Sequence, residues 1–140
     1  MLPSLDDIRE TFGLLDSWED RYRYVIDLGK ELEPLPDSAR TDDNKVRGCA
    51  SQVWVETIRR DGPDGLILDF RGDSDAHIVK GLVALILALY SGKTPDAILS
   101  TDALGVFREL GLAEHLTPQR SNGVRSMVDR IRRDAEAAKH

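Results

Sequence analysis

The feature that most restricts how this chain can fold is an apolar run over residues 78–90. Lys80 is the one charged residue in the run, so a helix here carries apolar side chains around nearly its whole circumference. Such a helix has to be covered by other elements on most sides. The run therefore predicts a central core helix against which the rest of the chain packs.

An antiparallel hairpin is expected before this helix. Residues 52–59 are rich in β-branched and aromatic side chains, and residues 61–65 are turn-forming. Apolar side chains then occupy every second position, at 66, 68 and 70, and alternate with Ile67, Asp69 and Arg71 on the opposite face. We expect two paired strands with one face turned inward, ending at Gly72.

Helical spacing of apolar residues occurs on both sides of the hairpin. It predicts helices over 5–15, from 17 to about Pro34, over 94–100, over 102–110 and after Pro118. Ser4 and Ser17 each stand three positions before an aspartate, as in a capping box. Residues 33–45 show neither period and predict a loop.

This order of elements is typical of an α+β fold, in which a small antiparallel sheet packs against helices. The 140 residues are about the length of one domain, so residues 1–140 are interpreted as a single domain with one core.

Charge and hydropathy exclude some classes of partner. The chain has 19 lysine and arginine residues against 25 aspartate and glutamate residues, a net charge of −6. This balance disfavours nucleic acid and anionic membrane surfaces as main partners, although it is compatible with a local basic patch. The longest apolar run is far shorter than the roughly 20 residues that cross a bilayer, and no targeting segment is visible. We expect a soluble protein.

Cys49 is the only cysteine. A lone cysteine forms no internal disulfide, which favours the cytoplasm as the location. Taken by itself, such a residue is most often an inert buried side chain. Its neighbours Arg47, Gly48, Ala50 and Ser51 do not resemble a core layer, and strand-forming residues follow. The position therefore also fits a reactive thiol at a loop-to-strand junction.

Four blocks of the sequence resemble the SufE family of small sulfur-acceptor proteins. Residues 48–54 read Gly-Cys-Ala-Ser-Gln-Val-Trp, similar to the family's Gly-Cys-Gln-Ser-Gln-Val-Trp, with Ala50 as the departure. Residues 72–76 (Gly-Asp-Ser-Asp-Ala), 78–82 (Ile-Val-Lys-Gly-Leu) and 115–121 follow in the family's order. Each block alone is weak, but the four together span nearly the whole chain.

The resemblance implies that Cys49 carries sulfur as a persulfide. A SufS-like cysteine desulfurase, dependent on pyridoxal phosphate, forms a persulfide on its own cysteine, and the acceptor thiolate attacks the outer sulfur. The acceptor then passes the sulfur to a SufBCD-like iron–sulfur scaffold complex and enhances the desulfurase. The chain would be a partner of that enzyme rather than an enzyme by itself, with pyridoxal phosphate bound to the desulfurase and no cofactor of its own.

The resemblance also implies a fold shared with iron–sulfur scaffold proteins of the IscU type, as a monomer or weak homodimer. A persulfide is easily reduced or oxidised in water, so the thiol needs an apolar shelter, yet burial raises the pKa of a thiol. We therefore expect a mobile loop around Gly48 that shelters Cys49 at rest and presents it to the partner.

Six other residues are candidates for positioning the thiol or binding the partner. Gly48 allows backbone conformations that other residues avoid and a close approach by another surface. Ser51 and Gln52 either donate hydrogen bonds to the sulfur or simply begin the strand.

Asp73 and Asp75 flank a serine, which indicates a turn and a helix N-cap. By resemblance, this segment lies beside the cysteine loop and helps to position it. Arg120 is interpreted either as a solvated residue at a helix start or, by resemblance, as a guanidinium that favours the thiolate or persulfide anion or binds an acidic partner.

Other functions are weighed against sulfur transfer. A non-catalytic adaptor would activate a desulfurase by docking alone and would not need the thiol. A cluster scaffold is disfavoured because one thiol cannot hold a cluster that needs several ligands. His77, His115 and His140 do not stand at ligand spacing with one another or with Cys49, so no metal site is expected.

Overall fold

The computed structural model describes residues 2–139, which form an α+β fold as expected. In chain order the elements are α1 (Leu5–Leu14), α2 (Trp18–Lys30), β1 (Val53–Gly62), β2 (Gly65–Ser74), α3 (His77–Tyr90), α4 (Pro95–Ser100), α5 (Ala103–Glu109), α6 (Leu112–His115) and α7 (Pro118–Ala138). A short 3-10 helix, Asp37–Ala39, interrupts the expected loop before β1.

Helix α3 lies at the centre, which confirms the prediction from its apolar run. Its residues 81–87, 89 and 90 are buried, and it contacts α2, β2 and α7. It crosses α2 closely because both helices have a glycine at the crossing. A Cβ on Gly29 would lie 2.9 Å from the amide nitrogen of Gly81, and a Cβ on Gly81 would overlap the carbonyl oxygen of Val25.

The two strands pair in antiparallel register from Val53 with Ser74 to Gly62 with Gly65. The hairpin therefore continues past Gly72, and the expectation that it ends there is wrong. Gly72 lies within the ladder opposite Val55, where a Cβ would come within 2.8 Å of a methyl carbon of Val83. The glycine at this position allows α3 to approach the sheet and does not terminate the strand.

The ends of the helices follow the expected capping chemistry. The side chains of Ser4 and Ser17 accept hydrogen bonds from the amides of Asp7 and Asp20, at 3.2 and 3.1 Å. Helix α6 was not predicted, since its single turn is too short to show an apolar period. No helix within residues 2–139 is both long and apolar enough to span a membrane.

Candidate functional site

Cys49 lies at the tip of a loop whose two ends are tied together. The amide of Val46 donates to the carbonyl of Val53 at 2.9 Å, which closes the base of the loop at the start of β1. Gln52 and Asp75 then exchange two hydrogen bonds, from the Gln52 amide to the Asp75 carboxylate at 3.0 Å and from the Asp75 amide to the Gln52 carbonyl at 3.3 Å. Residues 47–51 lie outside the helices and strands, with a turn at Arg47 and Gly48.

The tip of this loop rests on α7. The Cys49 thiol donates to the carbonyl oxygen of Gly123, with the sulfur 3.7 Å away. Gly48 has φ +91°, and a Cβ there would lie 2.5 Å from the Oγ of Ser126. The left-handed backbone therefore favours glycine at this position, and a larger residue would also force the Ser126 hydroxyl to rotate away.

The thiol is half-buried, which sets its protonation state. Loss of water around the sulfur disfavours the charged form, so burial raises the pKa of Cys49 above its ordinary value. Among residues 2–139 there is no group of histidine, cysteine and acidic side chains that could hold a metal ion. His140, one of the histidines considered from the sequence, lies outside the described residues.

A cleft of about 240 Å³ opens beside the sulfur. It lies between residues 47–52, here called the cysteine loop, the start of α3 and the first half of α7. Ile78, Val79 and Leu82 form its wall on α3, and Met127 contributes from α7. These side chains make much of the lining apolar. The cleft can therefore hold a small uncharged or weakly hydrated group next to the sulfur.

Ser51 and Gln52 take different positions around this cleft. Ser51 borders it beside Cys49, whereas the side chain of Gln52 is exposed and its backbone amide bonds Asp75. Within residues 2–139, the hydrogen bond of the sulfur is made to Gly123 and not to either of these side chains. Gln52 thus contributes by anchoring the loop through its backbone.

Asp73 is the buried member of a partly exposed ion-pair cluster beside the hydrogen bonds between Gln52 and Asp75. Its carboxylate accepts from Arg40 at 2.5 Å and from the Ser74 amide at 2.8 Å, and Lys80 lies 3.4 Å away. Burial by itself would raise the pKa of Asp73, but the Ser74 amide, Arg40 and Lys80 together outweigh it and lower the pKa. The Arg40 guanidinium also lies over the ring of Trp54, at 5.1 Å.

The N-cap interpretation of this segment is wrong. Asp73 and Ser74 are the last residues of β2, and the N-cap position of α3 is Ala76, whose side chain can accept no hydrogen bond. The Asp-Ser-Asp pattern suggested a helix cap, but Asp73 and Ser74 stay extended because they still pair with Trp54 and Val53 of β1. Asp75 lies between β2 and α3, and its carboxylate accepts a hydrogen bond from the Gln52 amide instead of capping the helix.

Arg120, in the first turn of α7, borders the same cleft as Cys49. Its guanidinium donates to the hydroxyl of Tyr22 and lies over the tyrosine ring, 5.8 Å from its centre. It is partly buried rather than fully solvated. The guanidinium of this cleft-lining residue is thus held against α2.

Sequence reasoning missed Gly123, Met127 and Arg40. A glycine inside an otherwise regular amphipathic helix was a visible signal for Gly123, because glycine weakens helix interiors. Arg40 had no local signal, since its partner Asp73 is 33 positions away.

Together, the fold and the site define a small α+β protein that presents one thiol from a loop over an apolar cleft. The family profile described as "SufE: Fe-S metabolism associated domain" matches residues 6–135, and the chain belongs to the SufE family. This confirms the resemblance and associates the chain with iron–sulfur metabolism.

Two relatives agree with this assignment, and a solved structure shares the fold. An uncharacterized SufE-like protein of Rhizobium meliloti (strain 1021) is 54% identical over 135 residues, 96% of both chains. A second one, of Rhizobium etli, is 56% identical over 135 residues, 96% of this chain and 91% of the relative. The solution structure of a hypothetical protein from Thermus thermophilus has a TM-score of 0.74 at 24% identity, covering 99% of this chain and 98% of that one, which shows the shared fold.

Proposed function

We propose that this protein accepts sulfur on Cys49 from a pyridoxal-phosphate-dependent cysteine desulfurase and passes it to an iron–sulfur scaffold complex. Family membership supports the association with iron–sulfur metabolism. The observation that carries the finer proposal is the position of the single thiol, at a loop tip and beside an apolar cleft of about 240 Å³.

The transfer is a displacement at sulfur. The Cys49 thiolate attacks the outer sulfur of the donor persulfide, a new sulfur–sulfur bond forms, and the donor cysteine leaves as a thiolate. No electrons are gained or lost overall, and the step uses no cofactor on this chain. The thiolate, access to it and alignment along the sulfur–sulfur axis are the requirements.

The resting geometry favours storage over attack. A half-buried thiol with a raised pKa is a weak nucleophile at neutral pH, while the apolar lining keeps water and small thiols away from a loaded sulfur. In our proposal the desulfurase draws the loop tip off α7. The tip can move at small cost because its hydrogen bond, from the thiol to Gly123, is a weak one.

The rim of the cleft favours a sulfur anion once it is formed. Arg120 is one of the residues that line the cleft, and the N-terminal turns of α3 and α7 border it as well. Helix N-termini carry partial positive charge, so they favour a nearby anion. The hydrogen bond between Gln52 and Asp75 holds the C-terminal end of the loop that carries Cys49. The ion pair of Asp73 with Arg40 fixes the end of β2, directly before Asp75.

The proposal is tested by intact-mass spectrometry after incubation with a cysteine desulfurase and free cysteine. We expect a gain of one sulfur atom that is removed by a reducing thiol, and no gain in the Cys49→Ser variant. A wild-type chain that takes up no sulfur would refute the acceptor role.

The same Cys49→Ser variant separates the carrier from the docking adaptor. The carrier predicts that the variant no longer stimulates turnover of the desulfurase, because the product persulfide is not removed. Full stimulation by the variant would show that docking alone activates the enzyme. Binding of the variant to the desulfurase should be measured alongside, to show that its surface is intact.

A further inference from the structure

Gly123 is buried in the interior of α7, a helix of 21 residues, and lies directly against Cys49. Glycine weakens a helix interior relative to alanine, so a buried helical glycine needs a reason. The usual reason is lack of space for a Cβ. That reason holds for the glycines where α2 crosses α3, because a Cβ there would meet backbone atoms.

The reason does not hold for Gly123 when the thiol is free. A Cβ at this position would have two near neighbours outside the helix, the sulfur of Cys49 at 3.5 Å and its Cβ at 4.0 Å. These distances are ordinary van der Waals contacts. An alanine would therefore fit beside the resting thiol, and the free thiol does not explain the glycine.

A second sulfur atom on Cys49 needs additional space next to Gly123. A sulfur–sulfur bond is about 2.05 Å long. The outer sulfur cannot follow the present direction of the thiol hydrogen, because the Gly123 carbonyl oxygen lies 3.7 Å from the Cys49 sulfur and would be overlapped. The outer sulfur has to turn aside, and the cleft that Cys49 and Gly123 both border is the available space.

We propose that Gly123 is a positioning residue that leaves room for the outer sulfur of the Cys49 persulfide. The absence of a side chain at this position gives the extra atom a place between the loop and α7 while the loop stays closed. This inference rests on the proposed function only in taking the persulfide to form on Cys49; it does not depend on which protein donates the sulfur.

The test compares the wild-type protein with Gly123→Ala, each loaded with inorganic tetrasulfide instead of a desulfurase. The Cys49 thiolate attacks a terminal sulfur of the tetrasulfide. A bond forms between the Cys49 sulfur and that terminal sulfur, the bond from the terminal sulfur to its neighbour breaks, and the trisulfide dianion leaves, so atoms and electrons balance. Persulfide loss to a fixed concentration of a reducing thiol is then followed by intact mass. We expect Gly123→Ala to lose its sulfur roughly tenfold faster, the order expected when one methyl group overfills a packed site.

Two further measurements separate this role from a structural one. Alkylation of the unloaded thiol should be nearly the same in both proteins, and Gly123→Ala should be at least as stable to urea because alanine favours the helix. Gly13→Ala is the matched control, since Gly13 also lies in a helix, a Cβ there meets nothing within 4 Å, and the residue does not line the cleft. This variant should hold the persulfide as long as the wild type.

Equal persulfide lifetimes in wild type and Gly123→Ala would overturn the inference, as would a wild-type protein that keeps no sulfur from tetrasulfide. A large change in alkylation of the unloaded variant would also overturn it, because the methyl group would then act on the resting thiol. A difference between the variants with tetrasulfide but no loading by a desulfurase would leave this inference standing and refute the proposed donor.

Discussion

At the scale of single residues, Cys49 combines two opposing requirements. The sulfur is partly removed from water, and its hydrogen is donated to Gly123, so both effects favour the protonated thiol. The thiolate is the reactive form in sulfur transfer. We therefore expect the thiol of the isolated protein to react slowly, and the proposed sulfur transfer to require a change in its surroundings.

The raised pKa of Cys49 predicts the pH dependence of its alkylation. The rate with iodoacetamide should rise with pH around a midpoint above that of the same residue in urea-unfolded protein, because only the folded chain buries the sulfur. The measurement is alkylation rate against pH in the two states. Identical midpoints would show that the resting thiol is fully solvated.

Asp73 is the most strongly constrained acidic group near the site. Its side chain is 10% exposed and contacts both Arg40 and Lys80. Since these groups lower its pKa in the folded state below the ordinary value, its ionised form stabilises the fold. This stabilisation is fully present above the unfolded pKa and is lost as the pH falls through the lower folded pKa.

Asp73→Asn should lower the free energy of unfolding by about 2 kcal/mol at neutral pH, since it removes charged hydrogen bonds. Below about pH 4 the difference from wild type should shrink, because Asp73 then begins to be protonated in the unfolded chain. Urea unfolding at neutral and acidic pH measures both values. As a control, Asp64→Asn, in the exposed hairpin turn, should leave the free energy of unfolding unchanged at both pH values. A loss of stability in Asp73→Asn that does not depend on pH would contradict the charge argument.

At the scale of elements, the position of α3 depends on two glycine contacts. Gly81 allows α2 to cross α3 closely, and Gly72 allows α3 to approach β2. The start of α3 forms one wall of the cleft, so these contacts also determine where Ile78 and Val79 lie relative to Cys49. The close backbone packing in the core thus determines the shape of the cleft beside Cys49.

Gly81→Ala should be strongly destabilising even though alanine is the better helix former by about 1 kcal/mol. A Cβ there overlaps a backbone carbonyl oxygen of α2, which cannot rotate away, and we expect a net loss of about 2 kcal/mol or more. Urea unfolding measures the loss. Gly13→Ala, where a Cβ has open space, should be neutral or slightly stabilising; the same result for Gly81→Ala would mean that the crossing readily adjusts.

At the scale of the whole molecule, the site lies where three parts of the chain meet. The cysteine loop is outside the regular elements, whereas α3 and α7 belong to the core. Opening the loop tip therefore disturbs few core contacts, and a partner that binds the open form shifts the equilibrium by its preference for that form.

This arrangement predicts that Cys49 becomes more accessible in the presence of a desulfurase. Alkylation should be slow in the isolated protein and several times faster when a desulfurase whose own reactive cysteine is replaced by serine is added. The Asp64→Asn variant, altered far from the loop, should respond as the wild type does. Equal rates with and without the partner would argue against a loop that opens on docking.

The apolar run of α3, the alternation in β2 and the capping serines at positions 4 and 17 were readable from the sequence because each depends on residues close together in the chain. The place of Cys49 at a loop-to-strand junction was readable for the same reason. The end of β2 was not, because pairing with β1 decides it.

The contacts that make the site needed the tertiary structure. Arg40 with Asp73, Cys49 with Gly123, and Arg120 with Tyr22 join residues 33, 74 and 98 positions apart. No local pattern encodes such distances, since they arise only when the helices and the hairpin pack around α3. The sequence by itself thus determined most of the elements and the place of the single cysteine between them, and the packing decided what surrounds its sulfur.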